Sequence, residues 1–340
     1  APGRSPEGGG RAGTGSAGRR REERGGAAGG GGGKRKDVGL SWSNISEGQF
    51  KSAAIGAIAV APSDLNVLYV GTGSACIRGN ATTGDGMYRS LDGGDTWSHI
   101  GLSDAGTIAR IVVHPDNHEL VYAAVFGHPF GPNEERGVYR SSDGGDSWEQ
   151  VMFISDQVGA VDLSMNPHNP REMYAAFWRF ERKPWTTYDA SGDGGIYKTK
   201  DGGDSWEKLG GGLPEGLTGR IGVSVSPADP TRVYAFVSAL DPDGGLYRSD
   251  DSGKSWERVN RDRNLRQRHW YYSHVQADPN DRDTVYVLNT TVWKSIDGGK
   301  SVERIRPNHG DTHALWINPD DSDNMILDRK STRLNSSHDQ

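Results

Sequence analysis

The sequence predicts an all-β chain, a β-propeller of four-stranded antiparallel blades, and three observations predict it. A Ser/Thr-x-Asp-x-Gly-x-Ser/Thr-Trp motif recurs along the 340 residues. An alternating apolar strand, a Pro-centred turn and a Tyr-bearing strand keep phase with that motif. The 3.6-residue period of an amphipathic helix is nearly absent.

The first stretch, residues 1–36, holds 14 of the 49 Gly and nine Lys/Arg against three Glu. It has no apolar face of either period and is expected to stay unfolded, as a non-native extension or a basic RNA-binding tail. It also lacks the apolar centre of a signal peptide.

The repeat begins with a worn copy at Asp37, Gly39, Ser41 and Trp42. Full copies follow at Asp92 with Trp97, Asp143 with Trp148, Asp201 with Trp206, and Asp251 with Trp256; at Asp297 the Trp is replaced by Val302. The Asp-to-Asp spacings of 55, 51, 58, 50 and 46 residues match one four-stranded blade per repeat. In the unit around Asp92, strand a is expected near 56–61, b near 67–72, c near 86–91 and d near 96–100.

Each part of the motif has a local reason. The Asp can accept N–H groups of its own turn, the Gly can take positive φ, and the hydroxyl closes the hairpin. The Trp then buries a large face between blades. Identical aspartates in every blade cannot share one active site, so Asp92, Asp143, Asp201, Asp251 and Asp297 are read as structural.

Strand parity sorts the connections, since the strands of a blade run antiparallel. The a–b and c–d turns lie on one face and are short and repetitive. The b–c loops at 73–86, 127–137 and 179–195 and the d–a links at 260–272 and 307–313 lie on the other, and they differ between repeats. Varied loops on a rigid frame are where binding is built. Five residues before each turn Pro stand Ala57, Arg110, Asp162, Gly222, His274 and Ala314; four before stand Ile58, Ile111, Leu163, Val223, Val275 and Leu315. The second set is core. In the first, Arg110, Asp162 and His274 would be costly to bury unpaired, which places them on the central channel near its loop-rich mouth.

Further candidates sit on the same face. Arg179, Arg182, Lys183, Trp185, Tyr188, Arg266, Arg268, Trp270, Tyr271 and Tyr272 suit a carboxylate, sugar or peptide through charge-assisted bonds and stacking. His309, Asp311 and His313 alternate with period two, as ligands on an extended segment do, but two His and one Asp assign no metal. No cofactor is assigned. Glu134, Glu135, Asp189 and Asp193 are the carboxylates of the long loops.

These motifs, with phrases such as "GAIAVAPSDLNVLYVGTG", "GPNEERGVYR", "RNLRQRHWYYSH" and "HGDTHALWINP", resemble the Asp-box or BNR repeat over most of 37–326. The resemblance is to the WD40/YVTN/BNR-like, sortilin N-terminal (VPS10-type) group, often labelled "glycosyl hydrolase". It implies a propeller outside the cytoplasm, secreted, periplasmic or at the cell surface, that binds a peptide, protein or glycan. The alternative it implies is a xyloglucanase- or sialidase-like hydrolase with an acid pair from Glu134 or Glu135 and Asp189 or Asp311. In xyloglucanase-type hydrolases a catalytic Asp follows the first Tyr-x-x-Thr; here that stretch is Tyr69 to Thr72, and Gly73 holds the acid's place. Ser74 stands where the bacterial group has Glu.

The last segment, from Asp328 to His338, reads as translated sequencing adapter, so 327–340 is expected to lie outside the propeller and 37–326 to be a partial one. That leaves one closing strand near 41–46, five blades, strands a and b of a sixth, and an incomplete seven-bladed ring. The net charge of the full chain is −6, but residues 37–327 carry about −13. An acidic surface excludes tracking a phosphate backbone. No apolar run approaches the ~18–20 residues of a membrane span, and Cys76, alone, excludes an internal disulfide.

Overall fold

The computed structural model describes residues 33–34, 43–77, 81–306 and 310–329. Five four-stranded antiparallel sheets follow one another, each meandering a to d. Blade 1 is Ile55–Val60, Leu68–Thr72, Met87–Ser90 and Ser98–His99, close to the expected bounds. Blade 2 is Ile108–Val113, Val121–Val125, Gly137–Ser141 and Glu149–Met152. Blade 3 is Val158–Met165, Met173–Arg179, Gly195–Thr199 and Glu207–Lys208. Blade 4 is Thr218–Val225, Val233–Ala239, Gly245–Ser249 and Glu257–Asn260. Blade 5 is His274–Ala277, Val285–Leu288, Val292–Ser295 and Glu303–Ile305. A hairpin, Thr312–Asn318 with Asp321–Arg329, supplies strands a and b of a sixth.

Strand b is the buried strand of each blade, covered on both faces by neighbouring sheets. All five residues of Leu68–Thr72 and of Val121–Val125 are buried, and a strand covered on both sides reads as a continuous Val/Tyr/Ala run. Strand d is short and exposed at the rim. The a–b pairing carries a β-bulge at Ile55/Ala57, Ile108/Arg110, Ala160/Asp162, Thr218/Ile221 and Thr312/Ala314. A bulge bends the strand and re-aims one side chain. One surplus residue thus recurs at the loop-facing end of strand a in each of these pairs.

The c–d turn is closed by its own side chains. The Ser90 hydroxyl donates to Asp92 Oδ1 at 2.8 Å and accepts the Gly94 N–H at 2.8 Å, while Asp92 accepts the Thr96 N–H at 2.8 Å and hydroxyl at 2.6 Å. Gly93 and Gly94 hold φ of 70° and 89°, which a side chain would strain. The same bonds recur at Asp143, Asp201, Asp251 and Asp297. These bonds to the ionised form lower the Asp92, Asp251 and Asp297 carboxyls to about 2.

The strand-b tyrosines join each blade to the next. Tyr69 donates to the His118 carbonyl at 2.8 Å, Tyr122 to that of Gly202 at 2.8 Å, Tyr174 to that of Ser252 at 2.9 Å and Tyr234 to that of Arg282 at 2.6 Å. A strand-c cation repeats the step: Arg89 to the Gly144 carbonyl, Arg140 to Gly202, Lys198 to Ser252 and Arg248 to Gly298. Of the repeat tryptophans, Trp256 is buried and Trp97, Trp148 and Trp206 are half-buried. Trp148 donates to the Ile100 carbonyl, just after strand d of blade 1, and Trp97 donates likewise to the Ile45 carbonyl. Ile45 follows Ser43–Asn44, so those two residues stand where strand d of a preceding blade would.

Short paired segments lie at both ends of the described chain. Gly33–Lys34, within the stretch expected to be unfolded, pairs with Ser43–Asn44; residues 1–32 and the copy at Asp37 to Trp42 lie outside the described residues. The final strand runs past 326 to Arg329, with Leu327 opposite Leu315 and Asp328 opposite Ala314. Residues 330–340 lie outside the described residues. No described helix is long and apolar enough to cross a membrane.

Candidate ligand-binding face

Two groups of side chains occupy the loop-rich face. The inner group gathers at the starts of the a strands of blades 2 to 5 and on the segments that reach them. Arg110, immediately after the blade 2 bulge, is 3.6 Å from the buried Asp162 carboxylate, which holds the corresponding place in blade 3. Asp162 also accepts the Leu163 and Val223 N–H groups, both at 3.0 Å. Burial pushes its carboxyl above the ordinary value, against the pull of Arg110 and those N–H groups. Arg220, inside the blade 4 bulge and 2% exposed, reaches the Ala75 carbonyl at 3.0 Å and His274 Nε2 at 3.4 Å. Burial, then the Arg220 charge, holds His274 neutral, well below the ordinary imidazole range. The 73–77 segment of blade 1 thus reaches blade 4, and through Cys76 Sγ, 2.8 Å from His313 Nδ1, the final hairpin.

The d–a link before blade 5 completes this group. The Tyr272 hydroxyl donates to Asp311 Oδ1 at 2.5 Å, and its ring stacks on His313 at 5.5 Å. Arg268, more than half exposed, stands 3.9 Å from Asp311. Tyr271 and Tyr272 are buried and Trp270 packs on the core, so these three aromatics hold the link in place. Arg266 is turned away into an ion pair with Asp241 at 2.6 Å.

The outer group is built on the b–c loops of blades 2 and 3. The second folds into its own hairpin, Glu181–Arg182 with Thr187–Tyr188, closed by the Lys183 N–H to the Thr186 carbonyl at 2.8 Å. Trp185 at its tip is 79% exposed. Arg179 lies over the Tyr188 ring at 5.8 Å. The Arg182 N–H bonds the Pro129 carbonyl at 2.6 Å, tying this hairpin to the loop that carries exposed Phe130. Beneath both loops Arg136, 1% exposed, donates to Asn133 Oδ1 at 2.9 Å and to the carbonyls of Gln157 at 3.1 Å, His128 at 2.9 Å, Gly131 at 3.2 Å and Phe180 at 3.4 Å.

The candidate carboxylates have separate fates. Glu134 is exposed and Glu135 half-buried. Asp189 is held below its ordinary value by a hydrogen bond from His269, 3.5 Å away, and Asp311 is engaged by Tyr272. His309 lies outside the described residues. Among the described residues no three His, Cys, Asp or Glu converge as a metal site. Arg136, Arg220 and Phe130 were not singled out by the sequence. Arg136 and Arg220 look like ordinary surface cations in a linear reading, although Arg136 belongs to the quoted "GPNEERGVYR" phrase.

A family model described as "Sortilin, neurotensin receptor 3" matches residues 85–215. An ancestral GH74 enzyme superposes with a TM-score of 0.61 at 17% identity, over 86% of this chain and 36% of that one. YCF48 bound to D1 peptide superposes with a TM-score of 0.57 at 14% identity, over 92% of this chain and 91% of that one. The chain is a β-propeller, with a sortilin-like segment over residues 85–215. A curated Xyloglucanase from Paenibacillus sp is 26% identical over 186 residues, half of this chain. The propeller here spans 17% of the length of that relative. A GH74 xyloglucanase from Xanthomonas campestris superposes with a TM-score of 0.53 at 18% identity, over 86% of this chain and 52% of that one.

Proposed function

We propose that this propeller is a binding module outside the cytoplasm that holds a peptide, protein or glycan on its loop-rich face. The observation that carries the reading is the aromatic platform: Trp185 at the tip of a hairpin that also carries Tyr188, with Phe130 on the loop bonded to it, Tyr188 and Phe130 being about half exposed each. Exposed aromatic faces gain free energy on leaving water, and rings set on hydrogen-bonded loops lose little entropy on meeting a ligand. The peptide seated on the YCF48 propeller supports this use of the fold, as does the sortilin likeness. Arrays of peptides and glycans screened against the chain test it. Saturable binding weakened at least tenfold by Trp185→Ala, with unchanged thermal unfolding, is the expected result, since an interfacial Trp contributes about 2 kcal/mol or more. Binding indifferent to Trp185→Ala and to Phe130→Ala would refute the platform.

A polysaccharide hydrolase is the second reading, favoured by the likeness to the Paenibacillus xyloglucanase. Its acid pair would be drawn from Glu134 or Glu135 and Asp189 or Asp311. Turnover of xyloglucan or a sialoside by the purified chain, abolished by Glu135→Gln, would establish it over binding alone.

A further inference from the structure

A cavity of about 310 Å³ opens at the seam between blades 3 and 4, lined in part by the 192–195 end of the blade 3 b–c loop and by none of the side chains of the two groups described above. Its floor is aliphatic: Ile196, Leu213, Ile221 and Val237 are buried there, with Leu209 half-buried beside them. Its walls are largely backbone, since Gly192, Gly194, Gly195, Gly210 and Gly216 line it without side chains. A Cβ added to Gly192, Gly210 or Gly216 would meet nothing within 4 Å, so the space beside them is open. Into this lining comes one buried polar side chain. Thr218 is 3% exposed, and its hydroxyl is buried without a hydrogen-bond partner. At the rim stand exposed Lys208, whose Nζ donates to the Gly192 carbonyl at 2.7 Å, and exposed Glu215.

We infer that this cavity binds an aromatic ring carrying one hydrogen-bonding group, of the phenol class. A cavity of this volume lies at the small end of ligand pockets. Flat glycine walls admit a planar ring, and the aliphatic floor removes its apolar face from water. The Thr218 hydroxyl is costly to leave unpaired in such a place, and one phenolic oxygen satisfies it as donor or acceptor. A sugar ring fits poorly, because several hydroxyls would each need a partner and the floor supplies none.

Titration calorimetry on the 340-residue chain with p-cresol and with toluene tests the inference. p-Cresol should saturate a single site and toluene should bind about tenfold more weakly, the worth of one hydrogen bond to an otherwise orphaned buried group. Thr218→Val should abolish that preference while leaving toluene unchanged. Gly210→Leu fills the open space and should remove both ligands; Gly192→Leu serves the same purpose should the first fail to fold, judged by circular dichroism. N-acetyl-Gly-Tyr-Gly-amide separates the sources. Tighter binding than p-cresol identifies a tyrosine of a peptide, and weaker binding a free phenolic compound. No saturable p-cresol binding up to about 10 mM would overturn the inference, as would a preference that survives Thr218→Val. The outcome is independent of Trp185, so failure here leaves the platform reading standing.

Discussion

Replacing Arg136 by Met keeps the aliphatic stem in its buried position and deletes the guanidinium. Five acceptors then lose their donor: Asn133 Oδ1 and the carbonyls of His128, Gly131, Gln157 and Phe180. Three of those bonds are 3.1 Å or shorter, and hydrogen bonds to a charged group contribute about 1.5–3 kcal/mol each before the cost of burying the charge. That cost is visible as a guanidinium lowered to about 10 by burial. Set against it, the net loss should be about 3 kcal/mol, at the low end for removing one member of a buried charged network. Arg136→Lys should recover less than half, since one ammonium cannot reach acceptors spread around a planar fork. Urea unfolding gives the global loss, and hydrogen exchange locates it. Faster exchange confined to residues 127–137 and 180–188, with the Asp-turn segments unchanged, is the expected pattern. A loss below about 1 kcal/mol, or exchange spread evenly over all blades, would refute the claim that Arg136 pins the two binding loops.

Acid should act first on the repeated turns. The Asp92, Asp251 and Asp297 carboxyls titrate near 2 in the folded chain against about 3.9 unfolded, so their contribution is complete above pH ~4 and lost as pH falls toward 2; urea midpoints measured against pH should show that decline, and Thr96→Val should shrink Asp92's part of it. His274 is held neutral, so the unfolded chain takes up a proton that the folded chain refuses; stability should fall as pH drops below about 6.5, a slope that His274→Gln should flatten. Tyr174→Phe removes the bond to the Ser252 carbonyl and should cost about 1–2 kcal/mol in thermal unfolding without affecting ligand binding. Gly73→Ala should cost more than Gly210→Ala: Gly73 holds φ at 103° with the Gly106 carbonyl 2.5 Å from an added Cβ, whereas Gly210 faces open space.

The repeat was legible because each blade solves the same local problem with the same residues. Asp92 and its counterparts serve their own turns, so four residues of sequence state the contact. The Tyr of strand b was visible as a pattern, yet its purpose depends on the next blade, 48 to 80 residues on. Counting back from the turn prolines brought Arg110 and Asp162 to matching places after their bulges, since the pairing runs unbroken from each of them to its a–b turn. Gly222 holds the same place in blade 4, opposite Phe236, while Arg220, the buried cation, lies two residues earlier inside that blade's bulge, where a count from the turn does not reach.

The sequence alone therefore determined the class of fold, the blade period, the closing of each turn and the face on which the chain varies, because all of these are set by contacts within one repeat. Tertiary structure decided which of the varied residues are available. It buried Tyr271 and Tyr272, paired Arg266 with Asp241, left Trp185 in solvent, and set Arg136 under two loops separated by some 50 residues. Such choices rest on burial and on partners from other blades, and neither is a function of distance along the chain.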